Sequence, residues 1–181
     1  MVPMSAPLDL SEPLFTAIDH VGIAVPDLDE AIEFYRDTFG MRVAHEETNE
    51  EQGVREAMLS VGGEPVGTAS CIQLLAPLSP ESTIAKFLDR SGPGIQQLAY
   101  RVTDVDQVAA VLRERGVRLL YDAPKRGTSG SRVNFVHPKD TGGVLVELVE
   151  PFERVAETVV EEGAQRPSRN QPPQEPPSPT A

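Results

Sequence analysis

The chain repeats itself, and that limits its folds more than any other feature. The stretch "DHVGIAVPDLDEAIEFYRDTFGMRV" (19–43) can be set above "QQLAYRVTDVDQVAAVLRERGVRLL" (96–120). Each begins with a strand of alternating apolar residues and passes through an Asp-x-Asp turn, Asp27/Asp29 or Asp104/Asp106. Each continues as an amphipathic helix, with Ala31, Phe34, Tyr35 and Phe39 on one apolar face and Val105, Val108, Ala109 and Leu112 on the other. Each helix stops at a glycine, Gly40 or Gly116, as a left-handed C-cap requires. Three strand-like segments follow in each half: "MRVAHEE", "VREAMLSV" and "ASCIQLLAP", then "VRLLYD", "RVNFVHP" and "GVLVELVEP". The pattern predicts an α+β fold of two tandem βαβββ modules, about 16–78 and 94–151, related by a pseudo-two-fold.

Such symmetry brings homologous positions together near the axis. His20 aligns with Gln97 and Gln73 with Glu147, at nearly the same spacing within each half. All four side chains carry a metal-ligating atom, and all four interrupt apolar strands, where a polar residue needs a partner. In "DHVGIAV", His20 shares its strand face with Gly22 and Ala24, and these small neighbours leave room for something that is not protein. Taken alone, His20 also reads as a strand-end histidine bonded to a carbonyl or to water.

The rest of the chain sets limits. Residues 1–15 carry proline and little pattern and read as a flexible arm. Residues 152–181 read as an acidic segment followed by a disordered proline-rich tail; "FERVAETVVEE" has the length for a short helix, but its acidic end opposes the helix dipole. The folded domain is then 16–151. No apolar run is long enough to span a membrane, and no secretory signal is recognisable, so a cytoplasmic protein is expected. A net charge of −12 argues against nucleic acid and anionic membranes as partners. The lone Cys71 lies in the apolar "SCIQLLAP" and reads as a buried structural thiol. His45 in the acidic "HEETNEE" reads as exposed, and His137 before a proline as a loop residue. "SPESTIAKFL" reads as a capped helix, with a serine start, an early acidic residue and a stripe of Ile84, Phe87 and Leu88. "PKRGTSGSR" (124–132) is basic and glycine-rich, which makes it either a solvated loop or a receptor for an anionic ligand.

Paired modules opening with "DHVGIAV" and closing with "LVELVEP" resemble the vicinal oxygen chelate superfamily. "NEEQGVREAML", "IQLLAPLSPESTIAKFL", "RERGVRLLYDAPKRGTSGSRVNFVHPK" and "GVLVELVEP" are similar to its methylmalonyl-CoA epimerase branch. The resemblance covers about residues 17–151. It implies metal ligands at His20, Gln73, Gln97 and Glu147. Gln97 stands where the family usually has the second histidine of an "HH" pair, here "QQ". It implies acid/base roles for Glu56 and Glu147, an acyl-CoA substrate and a homodimer. One imidazole, two amides and one carboxylate suit a hexacoordinate divalent ion, Co²⁺, Mn²⁺ or Mg²⁺, better than a closed structural zinc site.

The implied chemistry needs such residues. Inverting the carbon between a thioester and a carboxylate removes a proton from one face and returns one to the other. A divalent ion stabilises the enolate oxygen, and two acid/base groups serve the two faces. Burial of Glu56 beside Val54 and Met58 would raise its pKa; without the resemblance it also reads as a solvated strand glutamate. Lys125, Arg126 and Arg132 are the candidates for the coenzyme A phosphates. Two other readings remain. One is a glyoxalase-type isomerase or thiol transferase on the same scaffold. The other is a metal-free ligand-sequestering protein, which should ignore a chelator.

Overall fold

The computed structural model describes residues 13–62 and 70–152. Strand β1 (Ala17–Ala24) leads into helix α1 (Leu28–Phe39), and strands β2 (Arg42–Asn49), β3 (Val54–Ser60) and β4 (Cys71–Pro77) complete the first module. Helix α2 (Thr83–Ser91) links it to the second: β5 (Gly94–Arg101), α3 (Val105–Glu114), the two-residue β6 (Lys125–Arg126), β7 (Arg132–Val136) and β8 (Leu145–Glu150). The expected tandem βαβββ repeat is present, with the first strand after α3 reduced to the two-residue β6.

The two aspartate turns act as helix caps. Asp27 accepts from the Glu30 N–H and Asp104 from the Gln107 N–H, each satisfying an orphan donor of the first turn. Gly40 closes α1 at φ 68°, a left-handed conformation that costs a side-chain-bearing residue more. The serine that starts α2 is Ser82, which accepts from the Ala85 N–H. The early acidic residue, Glu81, lies before that cap rather than inside the first turn.

All eight strands form one sheet in the order β2-β3-β4-β1-β5-β8-β7-β6. β1 and β5 pair antiparallel at the centre, and each pairs in parallel with the last strand of its own module, β4 or β8. The two modules are therefore arranged as a pseudo-two-fold about the β1–β5 seam. Eight strands laid flat would span roughly 30 Å. Yet the Ser129 N–H, just before β7, donates to Glu47 Oε2 on the opposite edge strand at 3.2 Å. The sheet is therefore curled until its edges meet, with a concave face inside.

The helices α1 and α3 pack on the convex side. Leu28, Ala31, Ile32 and Tyr35 meet Ala57, Leu59, Leu74 and Ala76, while Val105, Val108 and Leu112 meet Val136, Val146 and Leu148. The α3 stripe is the expected one. The α1 stripe is half so: Ala31 and Tyr35 pack on the core, but Phe34 and Phe39 are 54% and 59% exposed and stack edge to face, while Leu28 and Ile32 join the core instead. The aromatic spacing fitted a helical face equally well, and only the sheet decides which face is buried. On the concave side α2 lays Ile84, Phe87 and Leu88 against Ala24, Val54 and Leu75.

Three other expectations change. "VRLLYD" is not a regular strand. It runs beside β7 through one bridge, Leu119–Val136, because the buried Asn134 side chain takes over the Tyr121 backbone, accepting its N–H at 3.3 Å and donating to its C=O at 3.0 Å. The end of the N-terminal arm is docked: Phe15 stacks on Tyr100 with ring centroids 4.8 Å apart, and Leu14 packs against the α3 cluster. His45 is half-buried and pairs with Glu47 at 2.6 Å. Cys71 is buried and His137 sits at a turn, as expected. The rest of the arm, the "FERVAETVVEE" segment beyond Phe152 and the proline-rich tail lie outside the described residues. Among those described, no helix is long and apolar enough to cross a membrane.

Asn134→Ala removes the side-chain acceptor of the Tyr121 N–H and one of the two donors to its C=O, the other being Arg113 Nη2 at 2.9 Å. It should cost about 2 kcal/mol in urea unfolding, and Asn134→Asp should cost at least as much at neutral pH, because it buries an unpaired carboxylate against the Tyr121 carbonyl.

Candidate active site

β1 turns His20, Gly22 and Ala24 toward the concave side. The space beside His20 is taken by protein: a Cβ on Gly22 would lie 2.5 Å from Gln97 Cγ, and Ala24 is covered by α2. The small face thus lets Gln97 and α2 approach, which corrects the reading that it leaves room for a ligand there. The register sets Gly22 opposite both Gln73 on β4 and Gln97 on β5, while Ala99 lies opposite His20 and Glu147.

Four residues chosen from the repeat therefore converge, and all are buried. The Gln97 Nε2 donates to Glu147 Oε2 at 2.5 Å and to Gln73 Oε1 at 3.2 Å. His20 Nε2 lies 3.2 Å from Glu147 Oε2. Glu56 on β3 joins them: Gln73 Nε2 donates to its Oε2 at 2.9 Å, and the Thr128 hydroxyl donates to its Oε1 at 2.8 Å. Glu56 is only 2% exposed, which rules out the solvated strand glutamate.

Sequence reasoning missed three supporting residues. Asp19 Oδ1 meets His20 Nδ1 at 2.9 Å, and Arg101 Nε holds the other Asp19 oxygen at 2.8 Å. Asp19 was visible as the first letter of "DHVGIAV", but nothing in the strand pattern said that it would turn to the imidazole. Thr128 was visible only as part of the basic loop.

The charge balance of the site explains its titration. Burial pushes Glu56 up to about 7; the Thr128 hydrogen bond opposes this, and the charges of Glu47 and Glu147 add to it. Burial would lower His20, but the hydrogen bond to Asp19 and the adjacent carboxylate of Glu147 outweigh it and raise it to about 10. Burial would likewise raise Asp19, yet His20 and Arg101 hold it below the usual carboxylate range.

The residues fit a divalent cation. His20 Nε2 is buried without a hydrogen-bond partner and faces a carboxylate oxygen, while Nδ1 is oriented by a second carboxylate, as metal-bound histidines usually are. Gln73 turns its oxygen toward the cluster, and a half-turn of the Gln97 amide does the same. Among the described residues no three of His, Cys, Asp and Glu gather to hold a metal. This cluster has His20 and Glu147 and completes the set with amides, a donor mix for a hard ion.

The basic residues divide. Lys125 pairs with Val133 of the concave face, and its Nζ meets Glu51 at 2.9 Å at the rim. Arg132 is tied to Asp106 of α3 and to Glu150, which places its guanidinium on the helix side, away from the cluster. Arg126 lies opposite Arg132 in the β6–β7 ladder and is exposed.

Residues 19–135 match the glyoxalase/bleomycin resistance protein/dioxygenase superfamily. The ethylmalonyl-CoA/methylmalonyl-CoA epimerase of Cereibacter sphaeroides is 38% identical over 133 residues, covering 72% of this chain and 95% of that protein. The crystal structure of methylmalonyl-CoA epimerase from Mycobacterium tuberculosis is 59% identical with TM-score 0.74, covering 79% of this chain and 93% of that one. This chain belongs to the methylmalonyl-CoA epimerase family. A variant of the Streptomyces coelicolor methylmalonyl-CoA epimerase, in complex with 2-nitronate-propionyl-CoA, is 52% identical with TM-score 0.71, covering 75% of this chain and 96% of that one. The epimerase family is an enzyme family, so the catalytic class expected from the sequence holds.

The raised Glu56 has a stability consequence. Between its unfolded value of 4.5 and about 7 the unfolded chain is ionised while the folded one keeps its proton, so stability falls as pH rises through that window. Glu56→Gln removes the penalty. It should be more stable than the parent at pH 8 by on the order of 2 kcal/mol, with the gap closing below about pH 4.5 in denaturant titrations.

Proposed function

We propose that this chain interconverts the (2R) and (2S) epimers of methylmalonyl-CoA, with Glu56 and Glu147 exchanging the C2 proton on opposite faces of the acyl group. The observation that carries the reading is Glu56: a buried carboxyl, both oxygens anchored, poised near neutrality, and linked through Gln73 and Gln97 to Glu147. A group with a pKa near the working pH both accepts and returns a proton efficiently. Anchoring of both oxygens removes the freedom to turn away from the substrate.

His20, Gln73, Gln97 and Glu147 would hold a divalent ion, with Co²⁺, Mn²⁺ or Mg²⁺ suited to the donors; when bound, it supplies Lewis-acid stabilisation of the enolate oxygen. Asp19, itself held by Arg101, fixes the His20 ring. The cluster side chains are all buried, and the low-dielectric surroundings strengthen each of these interactions. Lys125 at the rim is the best placed of the basic residues to meet a coenzyme A phosphate, being on the concave side.

The test is proton exchange. In D₂O the protein should place deuterium at C2 of methylmalonyl-CoA, and a chelator should abolish this until a divalent ion is restored. Glu56→Gln should lower kcat about 10²- to 10⁴-fold. No exchange with any of the three ions would sink the epimerase reading, and chelator-indifferent ligand binding would favour a sequestering protein.

Reversing a rim charge acts on binding rather than on chemistry. Lys125→Glu should raise KM for the CoA ester about tenfold with little change in kcat, whereas Arg132→Glu should leave KM unaltered.

A further inference from the structure

The Gly127–Gly130 turn of the second module crosses the closed sheet edge and delivers one hydroxyl to the first module's buried carboxyl. Thr128 donates to Glu56 Oε1 at 2.8 Å and accepts from Gln73 Nε2 at 2.8 Å, and the same Nε2 donates to Glu56 Oε2 at 2.9 Å. When Glu56 is ionised, the polarity of this ring is forced. An ionised carboxylate only accepts, so the hydroxyl must donate to it. The hydroxyl oxygen then accepts from the amide nitrogen, and both hydrogens of that nitrogen are used. Gln73 is left with its oxygen facing Gln97, His20 and Glu147.

The turn is built to hold this hydroxyl still. A Cβ on Gly127 would lie 2.6 Å from Val133 Cγ1, so the backbone packs where only glycine fits. Ser129 is left-handed at φ 55°, and its N–H is tied to Glu47 on the far edge strand. The Ser131 N–H closes the turn on the Thr128 carbonyl at 3.1 Å. A left-handed serine is an uncommon, mildly strained conformation that the surrounding contacts must impose.

We propose that Thr128 is a positioning residue: its hydroxyl aims the Glu56 carboxyl and fixes which end of the Gln73 amide faces the His20–Glu147 cluster. The proposal rests on the epimerase reading for its kinetic part and on geometry alone for its effect on Gln73.

The experiment compares Thr128→Val, which keeps the shape and loses the hydroxyl, with Thr128→Ser, which keeps the hydroxyl. Thr128→Val should lower kcat about 10- to 100-fold with KM nearly unchanged, and weaken Mn²⁺ binding about tenfold in a substrate-free titration. Thr128→Ser should restore both. In D₂O, one epimer of methylmalonyl-CoA should exchange its C2 proton faster than it inverts in the Thr128→Val enzyme, because only the face served by Glu56 is impaired. The other epimer should lose exchange and inversion together.

A loop with a merely structural role would move KM, through Lys125, and would spare the exchange-to-inversion ratio. Parental kcat and Mn²⁺ affinity in Thr128→Val, or failure of serine to rescue, overturns the proposal. A parent protein without any exchange overturns the epimerase reading instead, and the Mn²⁺ titration then decides the role of Thr128 by itself.

Discussion

The site depends on the antiparallel pairing of β1 with β5. That seam sets Gly22 against Gln97 and His20 against Ala99, so each strand offers a small residue where its neighbour offers a polar one. The parallel neighbours β4 and β8 then bring Gln73 opposite Gly22 and Glu147 opposite Ala99. A slip of one residue would turn His20 to the helix-bearing face, among aliphatic side chains with nothing to satisfy a ring nitrogen. The glycine and the alanine are as necessary to the cluster as the groups with chemistry.

Burying this set is expensive, and the arrangement shows how the cost is contained. Asp19 is neutralised by Arg101, which lets it hold the imidazole without adding free negative charge. Gln97 and Gln73 bring amide hydrogens to two buried carboxyls and add no charge of their own. What remains uncompensated is the pair Glu56 and Glu147 against one imidazole. Burial and mutual repulsion then raise Glu56 into the neutral range. Charge that weakens the fold at this position is also what sets a carboxyl near neutrality, the range a proton-exchanging group needs.

The repeat made much of this legible. Both helices, their aspartate caps and most strands followed from periodicity, and the four aligned polar positions converge because symmetry requires it. What the sequence hid was decided by tertiary contacts. Phe34 and Phe39 match a helical stripe, but α1 turns Leu28 and Ile32 to the sheet instead. "VRLLYD" has strand residues, yet the Asn134 side chain supplies the hydrogen bonds a neighbouring backbone would have made. Thr128 belongs to a loop whose destination is set by the closure of the sheet, and no local pattern encodes a contact across modules.

The symmetry of the frame also shows why the two buried carboxyls, Glu56 and Glu147, come from unlike places. On β3, Met58 lies opposite Gln73, and Glu56 follows two residues earlier. On β7, Phe135 lies opposite Glu147, and the residue two positions earlier is Val133. Where the first module has a carboxyl, the second has a valine, packed with Ala99, Phe135 and Val149 into an apolar wall. One lobe of the concave face is thus polar and the other dry. A fully symmetric site would set a second carboxyl at Val133, facing the first with no added cation to offset it. By breaking the repeat there, the chain buries one carboxyl, Glu56, held by Gln73 and by the Thr128 hydroxyl from the β6–β7 turn, and another, Glu147, held within the cluster by Gln97. The two carboxyls therefore differ in their partners although the strands that carry them are related by the repeat.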